Sequence, residues 1–232
     1  MTGPEKIMKS KPIVIAGGFG GATTSTSVAA VADALGALGY RVRLGDADIH
    51  NPTLSKMVAA TPLDPEKDDV RKFVSGGFAE DITIIDAPLC CAKLIAANLE
   101  SVPDIDLVGA LTINEPTYTH EGACELIEAF ADRARFIIFA NGRDSEGGKF
   151  NPADLPEFLP ILALAKGRVI TIPRWTPRMS QQFNKTNGAP ADYIPGGRFA
   201  GNSFDAAAWR HHRNQVIAST AGVAEWLFQP RQ

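Results

Sequence analysis

"AGGFGGATTSTS", residues 16–27, lies between the apolar run Pro12-Ile13-Val14-Ile15 and an alanine-rich stretch with helical spacing. Strand, glycine-rich turn and helix, in that order, form a phosphate-binding architecture. Gly17, Gly18, Gly20 and Gly21 let the backbone reach positive φ and approach an anion closely. A helix starting near Thr23 offers free N–H groups and the positive end of its dipole. Thr23, Thr24, Ser25 and Thr26 supply hydroxyls, which serve either to hold phosphate or a metal or simply to cap the helix. The stretch contains no lysine, the residue that normally grips the phosphates in such a loop.

Two acidic elements follow. "LGDADIHNPTLS" places Asp46 and Asp48 directly after a second strand. Carboxylates two residues apart at a strand's carboxyl end can face a metal–phosphate group and a water, or form a capped turn before a helix at Thr53. "ITIIDAP" ends a buried apolar strand on Asp86, where an aspartate can hold magnesium through water.

Strand patterns at 12–16, 41–44, 81–85, 107–113, 135–140 and 168–172 alternate with helical ones. The helical stretches are 24–38, ending at Gly39, then 53–60, 65–75, 89–99, 119–134, 153–165, 177–186 and 205–228. This alternation predicts an α/β fold: a single domain over residues 1–232, with a mostly parallel sheet and helices on both faces. Polar and glycine residues gather just past the strand ends, at Gly17, Asp46, Asp86, Asn114 and Asn141, where open α/β sheets bind ligands. The Gly/Pro/Asn-rich stretch 187–203 reads as a surface loop.

A net charge of −3 provides no global basic field for nucleic acid or anionic lipid. The cysteines Cys90, Cys91 and Cys124 lack metal-ligand spacing and read as reduced thiols. The adjacent Cys90-Cys91 pair reads as core packing, with a redox role as the alternative. "MTGPEKIMKSK" leads into no signal-like apolar region, and no stretch reaches the ~20 apolar residues of a membrane span, so a cytoplasmic location is expected.

The chain resembles the ParA/MinD group of deviant P-loop ATPases. Their motifs read K-G-G-x-G-K-[TS]-T, D-x-D-P and a hydrophobic run ending D-x-P; here "AGGFGGATT", "DADIHNPT" and "IIDAP" correspond. The "NPTLS" that follows the acidic pair resembles ParA-like proteins encoded with plasmid conjugation and stability systems. The resemblance implies ATP or ADP with Mg2+, a homodimer, and a protein partner in partition, cargo positioning or conjugative transfer. It implies nucleotide contacts from Gly17, Gly18, Gly20, Gly21, Thr23 and Thr24, metal contacts from Thr23, Asp46 and Asp86, and Asp48 as the catalytic residue orienting water. Asn141 and Pro173 fall where the family holds the adenine.

In the simplest alignment the two family lysines fall on Ala16 and Gly21 and the magnesium threonine on Ala22; a one-residue shift brings in Thr23. Loss of both lysines implies weak or no hydrolysis unless Lys93, Arg143, Arg174 or Arg178 substitutes. The alternative function is a catalytically dead scaffold that binds a partner without nucleotide; a third is an α/β enzyme for another phosphorylated ligand. Trp175 reads as packed rather than as a contact face with Arg174. His50, His120, His211 and His212 show no ligand spacing, while Arg210, His211, His212 and Arg213 read as a basic helix face, solvated or able to meet DNA or an acidic partner.

Overall fold

The computed structural model describes residues 11–18, 24–67, 69–76, 79–102, 105–114, 127–130, 133–142 and 150–229. Its elements are β1 (Pro12–Gly18), α1 (Thr24–Ala37), β2 (Val42–Asp46), α2 (Thr53–Met57), β3 (Thr61–Pro62), α3 (Asp69–Ser75) and β4 (Ile82–Pro88). There follow α4 (Ala92–Glu100), β5 (Asp106–Asn114), β6 (Arg135–Asn141), α5 (Leu159–Leu164), β7 (Val169–Ile172), α6 (Pro177–Thr186) and α7 (Ser203–Leu227). The seven strands form one sheet, in the order β3-β2-β4-β1-β5-β6-β7. Every neighbouring pair is parallel, which confirms the expected α/β architecture.

Parallel strands need cover on both faces, and the strand alternation supplies two cores. Ile13 and Ile15 of β1 point into a cluster with Ile85, Leu111, Ile138 and the apolar residues of α3 and α4. Val14 and Ala16 point the other way, to Val28, Val31 and Leu35 of α1 and to Trp209 and Val216 of α7. All nine residues of β5 are buried, as befits a strand near the centre of the order.

Gly39 stops α1. With φ at 92° it adopts the left-handed conformation, while Gly39 N–H donates to Gly36 and Tyr40 N–H donates to Leu35. This pair of bonds is the Schellman arrangement, and it turns the chain into β2.

Several expectations need correction. The 153–165 stretch is two 3-10 turns, Pro152–Asp154 and Pro156–Phe158, followed by the short α5. Pro156 and Pro160 lack the amide donors that a continuous helix needs. Residues 65–67 form a turn, so α3 begins later than expected. β3 was not expected; it is two residues long and lies at one edge of the sheet. At the other edge, the Thr171 amide of β7 donates to Ser219 Oγ of α7 at 2.8 Å. The 187–203 stretch is more than a surface loop. It contains a 3-10 helix, Pro190–Tyr193, whose Tyr193 is 1% exposed and stacks on Trp209 at 4.2 Å between ring centroids.

The basic face expected on the last helix also fails. A helix turns about 100° per residue, so adjacent residues face different surroundings. His212 is buried, and Arg213 forms a fork with Asp33 of α1 at 2.6 and 3.0 Å. Arg210 and His211 remain exposed. No helix among the described residues is long and apolar enough to cross a membrane. Of the helix expected over 119–134, residues 127–130 are helical, while 119–126 and 131–132, and with them His120 and Cys124, lie outside the described residues, as does Arg143.

Candidate functional site

A parallel sheet gathers the carboxyl ends of its strands along one edge. The register places Ala16 of β1 beside Asp86 of β4, and Asp86 beside Asp46 of β2. Gly17 and Gly18 pair with Ala87 and Pro88, so strand structure runs through the first two glycines of the loop. On the other side of β1, Asn114 of β5 pairs with Asn141 of β6, and Asn141 with Ile172 of β7. The edge thus has a glycine strand at its centre, an acidic side and an asparagine side. Gly20, Gly21 and Thr23 lie outside the described residues.

On the acidic side, Asp46 is buried and well used. One carboxylate oxygen accepts from the Asp48 amide at 3.2 Å; the other accepts from both the amide and the hydroxyl of Ser55 in α2, each at 2.8 Å. Asp48 is half-buried, and its Oδ1 accepts from the Asn51 amide at 2.9 Å. These bonds tie both carboxylates into the turn that leads to α2, although the residue that precedes the helix, Pro52, makes no side-chain cap.

Asp86 is also buried, and the Ser25 hydroxyl in the first turn of α1 donates to it. Burial pushes the Asp86 carboxyl up to about 7; the Ser25 bond opposes that rise, and Asp46 and Asp48 add to it. A buried carboxylate with a hydroxyl on it and two acidic neighbours is short of positive charge, a deficit that a dication relieves. Mg2+ commonly takes one or two protein oxygens and fills its shell with waters and phosphates. Ser25 and Asp86 fit that need, although no group of three or more metal-binding side chains is present among the described residues. Ser25 was named in the sequence only as a hydroxyl donor. Its spacing from the glycines was the available signal, but five consecutive hydroxyl residues, Thr23 to Ser27, left the choice open.

The glycine strand is tight at its end. A Cβ on Gly18 would collide with Thr24 Oγ1 and crowd Thr112. Ala16 is wholly buried within the sheet, packed toward α1, so a lysine at this position would have its charge in the core.

On the asparagine side, Asn141 is buried and its Nδ2 donates to Ser27 Oγ of α1 at 2.8 Å. The Gly142 amide donates to the Ile172 carbonyl at 2.8 Å, which holds the β6 and β7 ends together beside half-buried Pro173. Trp175 is packed, as expected: it lies against Phe183, Trp209 and His212. Its indole N–H donates to His212 Nε2 at 3.0 Å, so the imidazole keeps its proton on Nδ1. Burial holds His212 down at about 4. Of the cations considered as substitutes, Arg178 pairs with Asp205 at 2.5 Å, while Lys93 and Arg174 are exposed.

A scan of protein-family models and a sequence search of curated proteins return no match. Solved structures do match. A MinC:MinD cell division protein complex from Aquifex aeolicus is 17% identical, with a TM-score of 0.58 over 93% of this chain and 96% of that chain. MinD cell division protein from the same organism is 19% identical, with a TM-score of 0.55 over 93% and 98% of the two chains. A ParA family ATPase from Chlorobium tepidum TLS is 14% identical, with a TM-score of 0.52 over 92% and 98%. The chain therefore has the ParA/MinD-type P-loop fold.

Proposed function

We propose that the chain is a ParA-like nucleotide-binding protein that takes ATP or ADP with Mg2+ and hydrolyses ATP weakly or not at all. The observation that carries this reading is the Ser25 hydroxyl on Asp86, at the foot of the glycine strand. In phosphate-binding loops of the form G-x-x-x-x-G-K-[ST], the final hydroxyl serves the magnesium. Taking Ser25 as that hydroxyl puts Gly18 at the first glycine, Thr23 at the second and Thr24 at the lysine. The longer K-G-G-x-G-K-[TS]-T pattern then matches Gly20, Gly21 and Thr26 directly and leaves Phe19 at the signature lysine. This register replaces the one through Ala16, Gly21 and Ala22, and Ser25 takes the metal role expected of Thr23.

In this reading Gly17, Gly18, Gly20, Gly21, Thr23 and Thr24 surround the phosphates, with backbone amides and the α1 N-terminus as donors. Ser25 and Asp86 hold the magnesium, which when bound neutralises phosphate charge. Asp46, with its oxygens committed to Asp48 and Ser55, positions the half-buried Asp48 to orient water. Asn141 and Pro173 flank the base. Loss of one charge-stabilising group costs roughly 10²–10³ in rate, so loss of two lysines leaves turnover near background. The reading includes a cytoplasmic homodimer with a protein partner in partition, positioning or conjugative transfer; the MinC:MinD complex is a precedent for such a partner.

Mass spectrometry of copurifying nucleotide and calorimetric titration with Mg-ATP test it. We expect binding to the wild type, weaker binding to Asp86→Ala, and increased turnover in Thr24→Lys. Robust wild-type turnover abolished by Asp48→Ala would overturn the weak-hydrolysis part. No binding at all would favour the alternative that the missing lysines support, a scaffold that engages its partner without nucleotide.

A further inference from the structure

Cys90 and Cys91 do not pack in the core as the sequence suggests. Cys90 is exposed and Cys91 half-buried, and their sulfurs face each other at 3.9 Å. Adjacent residues bring their sulfurs this close only when both side chains turn to the same side. The pair ends the 3-10 turn Leu89–Cys91, which follows directly on Asp86-Ala87-Pro88, and Cys91 is the residue that caps α4.

We propose that Cys90 and Cys91 form a reversible thiol–disulfide switch that reshapes the segment joining Asp86 to α4. The oxidant is a low-molecular-weight disulfide of the glutathione class. The exposed Cys90 thiolate attacks one sulfur of that disulfide, forming a mixed disulfide and expelling a thiolate. Cys91 gives its proton to solvent and attacks the Cys90 sulfur, forming the Cys90–Cys91 bond and expelling the second thiolate. Both expelled thiolates take up protons, so two protein thiols and one disulfide become one protein disulfide and two small thiols.

Two features set the character of the switch. Consecutive Cα atoms are about 3.8 Å apart, whereas unstrained bridges span about 4.4–6.8 Å. Closing the sulfurs to about 2.05 Å therefore distorts the turn, and a strained disulfide is readily reduced, as a switch requires. Distortion at Cys91 acts on α4, whose Ala92, Ile95 and Leu99 are core residues, and on Pro88, which pairs with Gly18. The second step is slow near neutral pH. Burial, the bond to Cys90, and the charges of Cys90, Asp48 and Glu66 push the Cys91 thiol up to about 11.

The test equilibrates the full chain in a series of reduced and oxidised glutathione mixtures, quenches with an alkylating agent and maps peptides. Trypsin cuts at Lys93 and so separates Cys90 and Cys91 from Cys124. We expect loss of two hydrogens within the Cys90–Cys91 peptide, reversed by dithiothreitol. Cys91→Ser should stop at the glutathione adduct on Cys90. Hydrogen exchange over 86–100 should rise on oxidation in the wild type and stay unchanged in Cys90→Ser. A glutathione adduct without ring closure at any mixture, a bridge to Cys124, or unchanged exchange in the oxidised form would each overturn the proposal. The link to ligand rests on the proposed nucleotide reading: oxidation should weaken Mg-ATP binding at least several-fold, and unchanged affinity would overturn control of the site. Failure of the reduced protein to bind Mg-ATP counts against the nucleotide reading, while mass and exchange still decide the switch.

Discussion

On the side of β1 that holds β4 and β2, buried carboxylates meet hydroxyls, amides and one another. On the side that holds β5, β6, β7 and the last two helices, they meet arginines. Among the described residues no ion pair reaches Asp46 or Asp86, whereas buried Asp106 pairs with Arg135 and buried Asp205 with Arg178, and half-buried Asp192 pairs with Arg198. The second side adds an aromatic stack in which Trp209 lies against Tyr193 and Trp175 and donates to Gln182 at 2.8 Å. Satisfied charge and dense aromatic packing stabilise a fold. Uncompensated buried acid does the opposite, and such strain collects at functional sites.

Four measurements break or sharpen this contrast. Trp209→Ala should cost the most, about 3–5 kcal/mol in denaturant titration, because it removes a wholly buried indole and its bond to Gln182. A cost below about 1 kcal/mol would deny the aromatic side its structural role.

Asp86→Asn should move the other way. The folded carboxyl sits at about 7, above its ordinary 3.8, so the folded wild type holds a proton that the unfolded chain releases. Wild-type stability relative to the asparagine variant should fall as pH rises from 3.8 to about 7, by up to about 4 kcal/mol, and then level off. A wild type more stable than the variant at pH 8 would mean that Asp86 is charge-compensated after all.

His212→Gln probes the aromatic side by titration. The folded imidazole sits at about 4, below its ordinary 6.5, so its contribution is present above 6.5 and lost as pH falls to about 4. The loss should approach about 3 kcal/mol and be absent from the variant. The two pH slopes thus have opposite signs in overlapping windows, so each is read from the difference between the wild type and its own variant. The smallest effect expected is from Arg213→Ala, which leaves Asp33 without its fork and should cost about 1–2 kcal/mol at neutral pH. No measurable cost would put this pair among surface ion pairs.

The fold was legible because its signals are long-range in sequence. Apolar strands alternating with helices admit few arrangements, and the aspartates at the ends of β2 and β4 mark the site edge. The loop register was not legible. Four glycines and five hydroxyl residues slide past one another without penalty when no lysine anchors them, and the proposed register rests on the contact between Ser25 and Asp86. The helix around His212 was misread for a related reason. "RHHR" is basic as a string, but rotation around the helix buries His212 and turns Arg213 onto Asp33. Tyr193 was hidden in a Gly/Pro/Asn-rich stretch whose composition reports turns but not the tyrosine's stacking on Trp209.

The two edges of the sheet have a consequence for how copies of this chain meet. An open row of strand amides is a template for fibril growth and domain exchange. Here one outer strand is two residues long and ends on Pro62, which has no amide to donate. The other has its outward Thr171 amide occupied by Ser219 of a helix laid along it. Continuous cross-molecule sheets are therefore blocked at both ends. Concentrated samples should resist β-type aggregation through these two edges.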